Sequence, residues 1–529
     1  MNRFHFFAVL AGTVVMLPGQ VTYERLLNAE REPANWMTYS GGYQGWRYSP
    51  LEQINRSNAA QLKVKWVHQM PTTHMVETSP IVVDGVMYVS EPPSNVVALD
   101  AETGRQFWRY RRELPPKINV CCGQVNRGVA VLGDRLFVGT VDAHLIALDA
   151  KTGAVLWDVE VANYQHGYSV TVAPLVVKDK IILGIAGGEY GIRGWLDAYE
   201  PSTGKRLWRF NTIPGPGEKG HETWSGDAWK QGGGSTWVTG SYDPAQNLII
   251  WGVGNPSPDW NGDVRPGDNL YSDSAIALDA DTGKLKWHFQ FVPHDVHDWD
   301  AVQVPVLVDA PWQGRMRKLV YWAHRNGFYY VLDRETGKFL TGKPFATQTW
   351  AKGLDDAGRP IRLPGIDPSP EGVTIYPGVQ GATNWYSPSY NPLTKLFYLS
   401  VWENKSIYRK GDQEYTPGNR YIGSVPLIDL PDNPGYGVIR ALNPSNGDKV
   451  WEYKLQTKPW AGVLTTAGKL LFGGSDEGHY FALDAETGQE IWRQNCGEII
   501  RANGISYSSK GKQVVAIAAG NSIFTFALP

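Results

Sequence analysis

Short runs in which apolar and polar residues alternate recur along the whole chain, and most of them lead into the same kind of turn. Asn95-Val96-Val97-Ala98-Leu99-Asp100 has the period of two expected of a half-buried β-strand, and it passes through Thr103-Gly104 to a second run ending in Trp108. A phrase of the form Ala-Leu-Asp-Ala-x-Thr-Gly-x-x-x-Trp covers 98–108 and returns at 147–157, 198–208, 277–287, 441–451 and 482–492. A seventh copy at 331–341 keeps Leu332, Asp333, Thr336 and Gly337 but has Thr341 at the Trp place. The interval from Thr341 to Trp451 is twice the usual one, which leaves room for one unmarked unit around 393–402 and makes eight in all. Each copy predicts a hairpin, because the glycine supplies a positive φ at little steric cost. Sheets of about four strands repeated every 40 to 55 residues predict an all-β fold, an eight-bladed β-propeller with four-stranded antiparallel blades. The repeated Trp is expected between neighbouring blades, as core and not as a ligand site.

Segments outside the repeat phrase predict other elements. Two stretches rich in Gly, Pro and charge, 342–378 and 403–437, are expected to be loops near the mouth of the central channel. Residues 23–30 read as a short helix, and Lys63-Val64-Lys65-Trp66-Val67 as the strand that closes the ring with the last blade. The apolar run from Phe6 to Leu17, behind Arg3 and His5, is too short to span a bilayer, which needs about 20 residues, and reads as a secretory signal. The expected organisation is a leader at 1–20 and one domain over 21–529, periplasmic or secreted. Charge is balanced at 50 Lys plus Arg against 52 Asp plus Glu, with no long block of either sign, which argues against nucleic acid or a membrane surface as partner.

Two of the three cysteines, Cys121 and Cys122, are adjacent in Val120-Cys121-Cys122-Gly123-Gln124-Val125-Asn126-Arg127. If oxidised, such a pair suggests redox chemistry or a stiff wall around a ligand; the alternative is two reduced, buried thiols. An oxidising compartment allows the bond and leaves Cys496 unpaired. Ala186-Gly187-Gly188-Glu189, Gly232-Gly233-Gly234-Ser235-Thr236-Trp237, Gly254-Asn255-Pro256 and His294-Asp295-Val296-His297-Asp298-Trp299-Asp300 lie in different repeats. A propeller can bring such segments to one end of its axis, where carboxylate and amide oxygens suit calcium better than zinc. The segment 294–298 reads as an ordinary polar loop, with a two-histidine transition-metal site as the alternative.

These elements, in this order and over roughly 23–528, resemble the alcohol dehydrogenases that depend on pyrroloquinoline quinone (PQQ). The resemblance implies a Cys121–Cys122 disulfide against one face of the flat quinone and Trp237 on the other. It implies that Glu77, Arg127, Thr171, Gly187 and Gly188 hold the cofactor's carboxylates and rim, with Asn384 and Trp460 also near it; on the residues alone, Trp385 and Trp460 read as channel walls or as plain core. Glu189 and Asn255 match calcium ligands, Asp300 the catalytic base beside the metal, and Arg325 the cation at the reactive quinone oxygens. The implied reaction is hydride transfer from a small, polyol or polymeric alcohol, with Asp300 taking the hydroxyl proton.

Two departures shape the expectation. Ala186 stands where many relatives have a serine, and Val302 stands where lanthanide-using relatives carry an extra acid, so calcium is favoured. No Cys-x-x-Cys-His occurs, which implies a separate electron acceptor such as a soluble cytochrome c. The competing readings are a non-catalytic propeller used as a binding scaffold and a degenerate quinoprotein that has lost its cofactor.

Overall fold

The computed structural model describes residues 20–428, 430 and 433–529; apart from Gln20, the expected leader lies outside them. The described residues form eight four-stranded antiparallel blades, as the repeats predict. Six are continuous hairpin stacks over 81–110, 130–160, 175–211, 241–290, 306–344 and 464–495, the last with a short parallel strand, Tyr48–Ser49, added at its edge. The extra unit expected around 393–402 is not a separate blade: Ser389–Asn391 and Leu396–Glu403 are the first two strands of the sheet completed by Tyr436–Leu442 and Lys449–Leu455, which carries the phrase at 441–451, and the long interval after Thr341 is filled by the insertions 345–388 and 404–435. The eighth blade closes the ring, since Lys63–Gln69 pairs antiparallel with Ser522–Ala527 and so joins the two ends of the chain.

The repeat phrase is the joint between blades. Asp149 accepts hydrogen bonds from the Lys151 and Thr152 amides and from the Thr152 hydroxyl, which fixes the turn. Gly153, at φ 74°, then lies under the Trp108 indole of the preceding blade, whose Nε1 donates to Ala150 O at 3.1 Å. A Cβ at Gly153 would stand 2.5 Å from that ring, so both the backbone angle and the contact require glycine. The same docking recurs from Trp157 to Pro201 O, Trp208 to Ala280 O, Trp287 to Arg334 O, Trp451 to Ala485 O and Trp492 to Leu62 O. Where Thr341 replaces Trp, the next turn's Gly447 packs instead on the Tyr329 ring.

Two further expectations need correction. The helix stops at Leu27, with Thr22 accepting from the Arg25 amide, and a separate 3-10 turn covers Ala29–Arg31. The stretches expected as loops contain short strands: Ala351–Leu354 pairs with Pro360–Arg362, and Val373–Ile375 with Ser406–Tyr408. The second pairing stitches one stretch to the other. Their placement is as expected, for Tyr421 N donates to Glu189 O at 2.6 Å and Asn119 Nδ2 to Gly418 O at 2.8 Å. Among the described residues no helix is long and apolar enough to cross a membrane.

Candidate active site

Each blade turns its first strand to the hub, where neighbouring first strands such as Ala130–Leu132 and Leu175–Val177 touch. The segment leading into that strand crosses one end of the ring. A cavity of about 390 Å³ there takes a residue from all eight leading segments: Glu77, Arg127, Thr171, Trp237, Asp300, Trp385, Trp460 and Arg501. Loops that follow second strands add Gly187, Glu189 and Arg325. Cys121 and Cys122 are bonded to each other and line this cavity together with Trp237. Of the residues that the resemblance assigns to cofactor, metal or catalysis, Gly188 and Asn255 alone stand outside the lining; a Cβ on Gly188 would meet Asn255 Oδ1 at 3.5 Å.

One end of the cavity is built on a guanidinium. Arg127 Nη2 lies 2.6 Å from Glu77 Oε2 and Nη1 donates to Thr171 Oγ1 at 3.0 Å. Its carbon sits over the Trp237 ring at 4.6 Å and the Trp385 ring at 5.0 Å, which fixes the fork in place. Burial pushes the Glu77 carboxyl above its usual range, and Arg127 and Arg501 oppose that shift. Asn384 folds back on its own loop through Gln380 O and the Trp385 amide, and Trp460 stands edge-on to Trp402 at 4.6 Å.

The other end gathers acids. Asp300 Oδ1 accepts from the Asn255 amide at 2.8 Å, while Oδ2 pairs with Arg325 Nη1 at 2.5 Å. Arg325 Nη2 donates to Val379 O at 2.6 Å and lies 3.6 Å from Asp298. Gly254 explains the Gly-Asn-Pro motif: a Cβ there would come within 2.3 Å of Asp300 Oδ1 and 2.8 Å of Ser235 Oγ. Asn255 Nδ2 donates to Asp259 Oδ1 at 3.0 Å. Its Oδ1 is left toward Gly188, next to Glu189 on the 3-10 turn Gly188–Tyr190. Burial, and then mutual repulsion, raises Asp259 and Asp298 well above the carboxylate range. Asp300 is raised by burial and held back by Arg325, the Asn255 amide and Trp237.

The sequence profile described as "Glucose/ethanol/alcohol dehydrogenase, beta-propeller domain" matches residues 36–343. The quinoprotein alcohol dehydrogenase PedH of Pseudomonas putida is 39% identical over 94% of this chain and 88% of its own. The chain belongs to the PQQ-dependent alcohol dehydrogenases. A second profile, described as "Outer membrane protein assembly factor BamB", matches 435–527. Among solved structures, the quinohemoprotein alcohol dehydrogenase of Comamonas testosteroni superposes with a TM-score of 0.91 at 34% identity, covering 96% of this chain and 82% of that one. A europium-containing methanol dehydrogenase gives 0.89 at 32% identity, covering 96% of this chain and all of the other.

The cavity of this dehydrogenase fits the group its family uses. Arg127 Nε and Arg325 Nε are buried without an acceptor, and Asp259 Oδ2 is buried without a donor. Polar atoms of this kind are costly unless a ligand completes them. The oxygen donors of Glu189, Asn255, Asp300 and Asp259 suit a hard divalent cation, whose charge relieves the crowding of acids. Among the described residues the His, Cys, Asp and Glu groups with ligand atoms within 4.8 Å reduce to Cys121, Cys122 and Glu189, and sulfurs bonded to each other are not metal ligands.

The two-histidine metal reading fails. His297 Nε2 lies 2.9 Å from Ile366 O, its ring stacks on Trp299 at 4.4 Å, and burial lowers its pKa to about 3, so it stays neutral. His294 turns elsewhere, with Nδ1 2.8 Å from Gly267 O. Asp298 is the member of that loop that reaches the cavity.

Sequence reasoning missed Met75, Ser169, Ser235, Gln380 and Arg501 in the lining, and Asp259 behind it. Ser169 pairs backbone to backbone with Ala186 and offers a hydroxyl across from the alanine, a relation that no sequence motif marks.

Asp476, beside Arg501, makes a pH prediction. Burial pushes its carboxyl up to about 6, against the pull of Arg501, and its Oδ1 has no partner. The folded form therefore holds the proton more tightly than the unfolded chain. Its contribution to stability is full below about pH 4 and is lost as pH rises through about 6. Asp476→Asn is expected to be more stable than wild type at pH 8, with the gap closing toward pH 4 in paired urea titrations. An unchanged gap across the series contradicts this.

Proposed function

We propose that this PQQ-dependent alcohol dehydrogenase uses calcium and Asp300 to oxidise alcohols to the carbonyl. The observation that carries this reading is a single cavity flanked by a bonded cysteine pair and the Trp237 indole, with Asp300 and Arg325 paired beside Glu189 and Asn255. Glu77, Arg127, Thr171, Gly187, Gly188, Asn384 and Trp460 would hold PQQ, with Ser169 supplying the hydroxyl absent at Ala186. Bound there, PQQ supplies a two-electron quinone that accepts hydride. Glu189, Asn255 and Asp300 would hold the metal. Calcium is favoured over a lanthanide because Val302, two residues after Asp300, is buried in an apolar cluster with Val238 and Val304 and adds no acid.

Asp300 takes the proton from the substrate hydroxyl, and Arg325 orients that carboxylate through its 2.5 Å contact. The disulfide, Trp237 and Trp385 exclude water, so that charges formed inside meet fixed dipoles in place of mobile solvent. Electrons then leave to a separate acceptor, such as a soluble cytochrome c. We place the enzyme in the periplasm, with a leader over 1–20 and a single domain over 21–529.

Reconstitution tests the whole reading. Metal-free apo chain with PQQ and calcium is expected to gain the quinone absorbance and reduce dye with ethanol, whereas PQQ with lanthanum is expected to leave it nearly inactive. Quinone absent from the desalted protein, or equal rates with lanthanum, would overturn the cofactor or the metal assignment respectively.

A further inference from the structure

Arg501 lines the same cavity without a bonded partner for its guanidinium. Among the described residues it makes no hydrogen bond and no ion pair within 4.0 Å, and its Nε is buried without an acceptor. Its position is nevertheless fixed. Ile500 and Ala502 on either side are fully buried, the Ile500 amide donates to Ser475 O, and the guanidinium stands over the Trp460 ring at 5.6 Å. This is the segment that leads into Ile505–Ser509, the first strand of the blade that closes the ring. Arg501 therefore occupies, in the eighth blade, the place from which the other blades supply their cavity residues.

An unpaired guanidinium beside an enclosed cavity is unfavourable unless an anion completes it. The acids whose charge it touches are spoken for or out of reach. Glu77 pairs with Arg127, and no Asp476 oxygen comes within ion-pair distance. At the opposite chemistry, Asp300 and Asp298 are answered by Arg325. The vacant charge belongs to the Glu77 and Arg127 side of the cavity, and PQQ is a tricarboxylic acid. We propose that Arg501 is a second cationic anchor for a carboxylate of PQQ, acting with Arg127 at that end of the cavity. The proposal rests on the reading of this cavity as a PQQ site, and it assigns to this chain a contact that the repeat pattern alone does not announce.

The test measures binding and not turnover. PQQ and its trimethyl ester are titrated into the calcium-loaded apo chain, and quenching of tryptophan fluorescence is followed for wild type, Arg501→Leu and Arg501→Lys. Arg501→Leu is expected to weaken PQQ about tenfold or more and Arg501→Lys by less, because a point charge keeps attraction but loses the two-pronged fork. The ester is expected to bind all three proteins alike. PQQ affinity within about twofold of wild type in both variants overturns the anchor, as does an ester that loses as much as the acid, since 501 would then act through shape. Should Arg501→Leu fail to fold, the acid and ester comparison in Arg501→Lys still decides. A wild-type chain that ignores PQQ sinks the cofactor reading itself, an outcome separate from the first two.

Discussion

Asp300→Asn is expected to lower turnover by about 10³-fold while PQQ stays bound, within the range over which a positioned general base contributes. The carboxylate is buried and fully engaged: Oδ1 takes the Asn255 amide and Oδ2 takes Arg325. An asparagine can keep the first bond with its carbonyl, but its NH₂ then faces another donor at the guanidinium and has no basicity to offer. On the proposed reading PQQ binding relies on other residues that line the cavity, Arg127, Glu77, Thr171 and the sulfur and indole walls, so the quinone absorbance of the reconstituted variant is expected to match wild type. Dye-linked rates with that absorbance measured on the same sample separate chemistry from binding. Turnover within about tenfold of wild type would remove Asp300 from the role of base.

Arg325→Met is expected to cost about 3 to 5 kcal/mol of stability and most of the activity, the cost of breaking a buried ion pair by removing one partner. Arg325 bonds Asp300 and the Val379 carbonyl and lies near Asp298, and the turn around Gly381 leaves room for it, since a Cβ at 381 would stand 2.6 Å from the Arg325 Cβ. Methionine fills much of the same space, so the loss reports charge and hydrogen bonds more than volume. What remains is a set of buried acids without a counter-ion. Urea midpoints of the metal-free chain give the value. The double variant Asp300→Asn with Arg325→Met is expected to lose less than the sum of the two singles, because the second substitution removes one of the stranded charges. Strict additivity would mean that the pair is not coupled.

The blades were legible because their marks are local in sequence. Asp149, Thr152, Gly153 and the following Trp157 lie within nine residues, and turn, strand period and indole all carry composition signals. The blade without the phrase is the one that closes the ring, Ile505–Ser509, Lys512–Ala519 and Ser522–Ala527 with Lys63–Gln69, and the gap after Thr341 that was read as a unit holds insertions instead. The helix after residue 22 was read too long because its continuation, Ala29–Arg31, tightens into a 3-10 turn. Of the strands inside 342–378 and 403–437, Val373–Ile375 and Ser406–Tyr408 pair across the two stretches, and neither carries a hairpin signal of its own.

The site divides in the same way. Cys121-Cys122, Gly187 to Glu189, Trp237, Asn255 and Asp300 stand in motifs that could be matched residue by residue, and the cavity takes in all of them except Gly188 and Asn255, which stand just behind it. Arg501, Ser169, Gln380 and Met75 sit in stretches without a repeat or a motif. The chain's own order of residues marked seven of the eight blades, the turns that receive the indoles and the chemistry available at the hub, since the signals for each of those span only a few residues. Closure of the ring between Lys63–Gln69 and Ser522–Ala527 decided which charges face one cavity and which are left without a partner. That outcome depends on eight separate segments meeting in space, and no local spacing encodes the distance between residues more than four hundred positions apart.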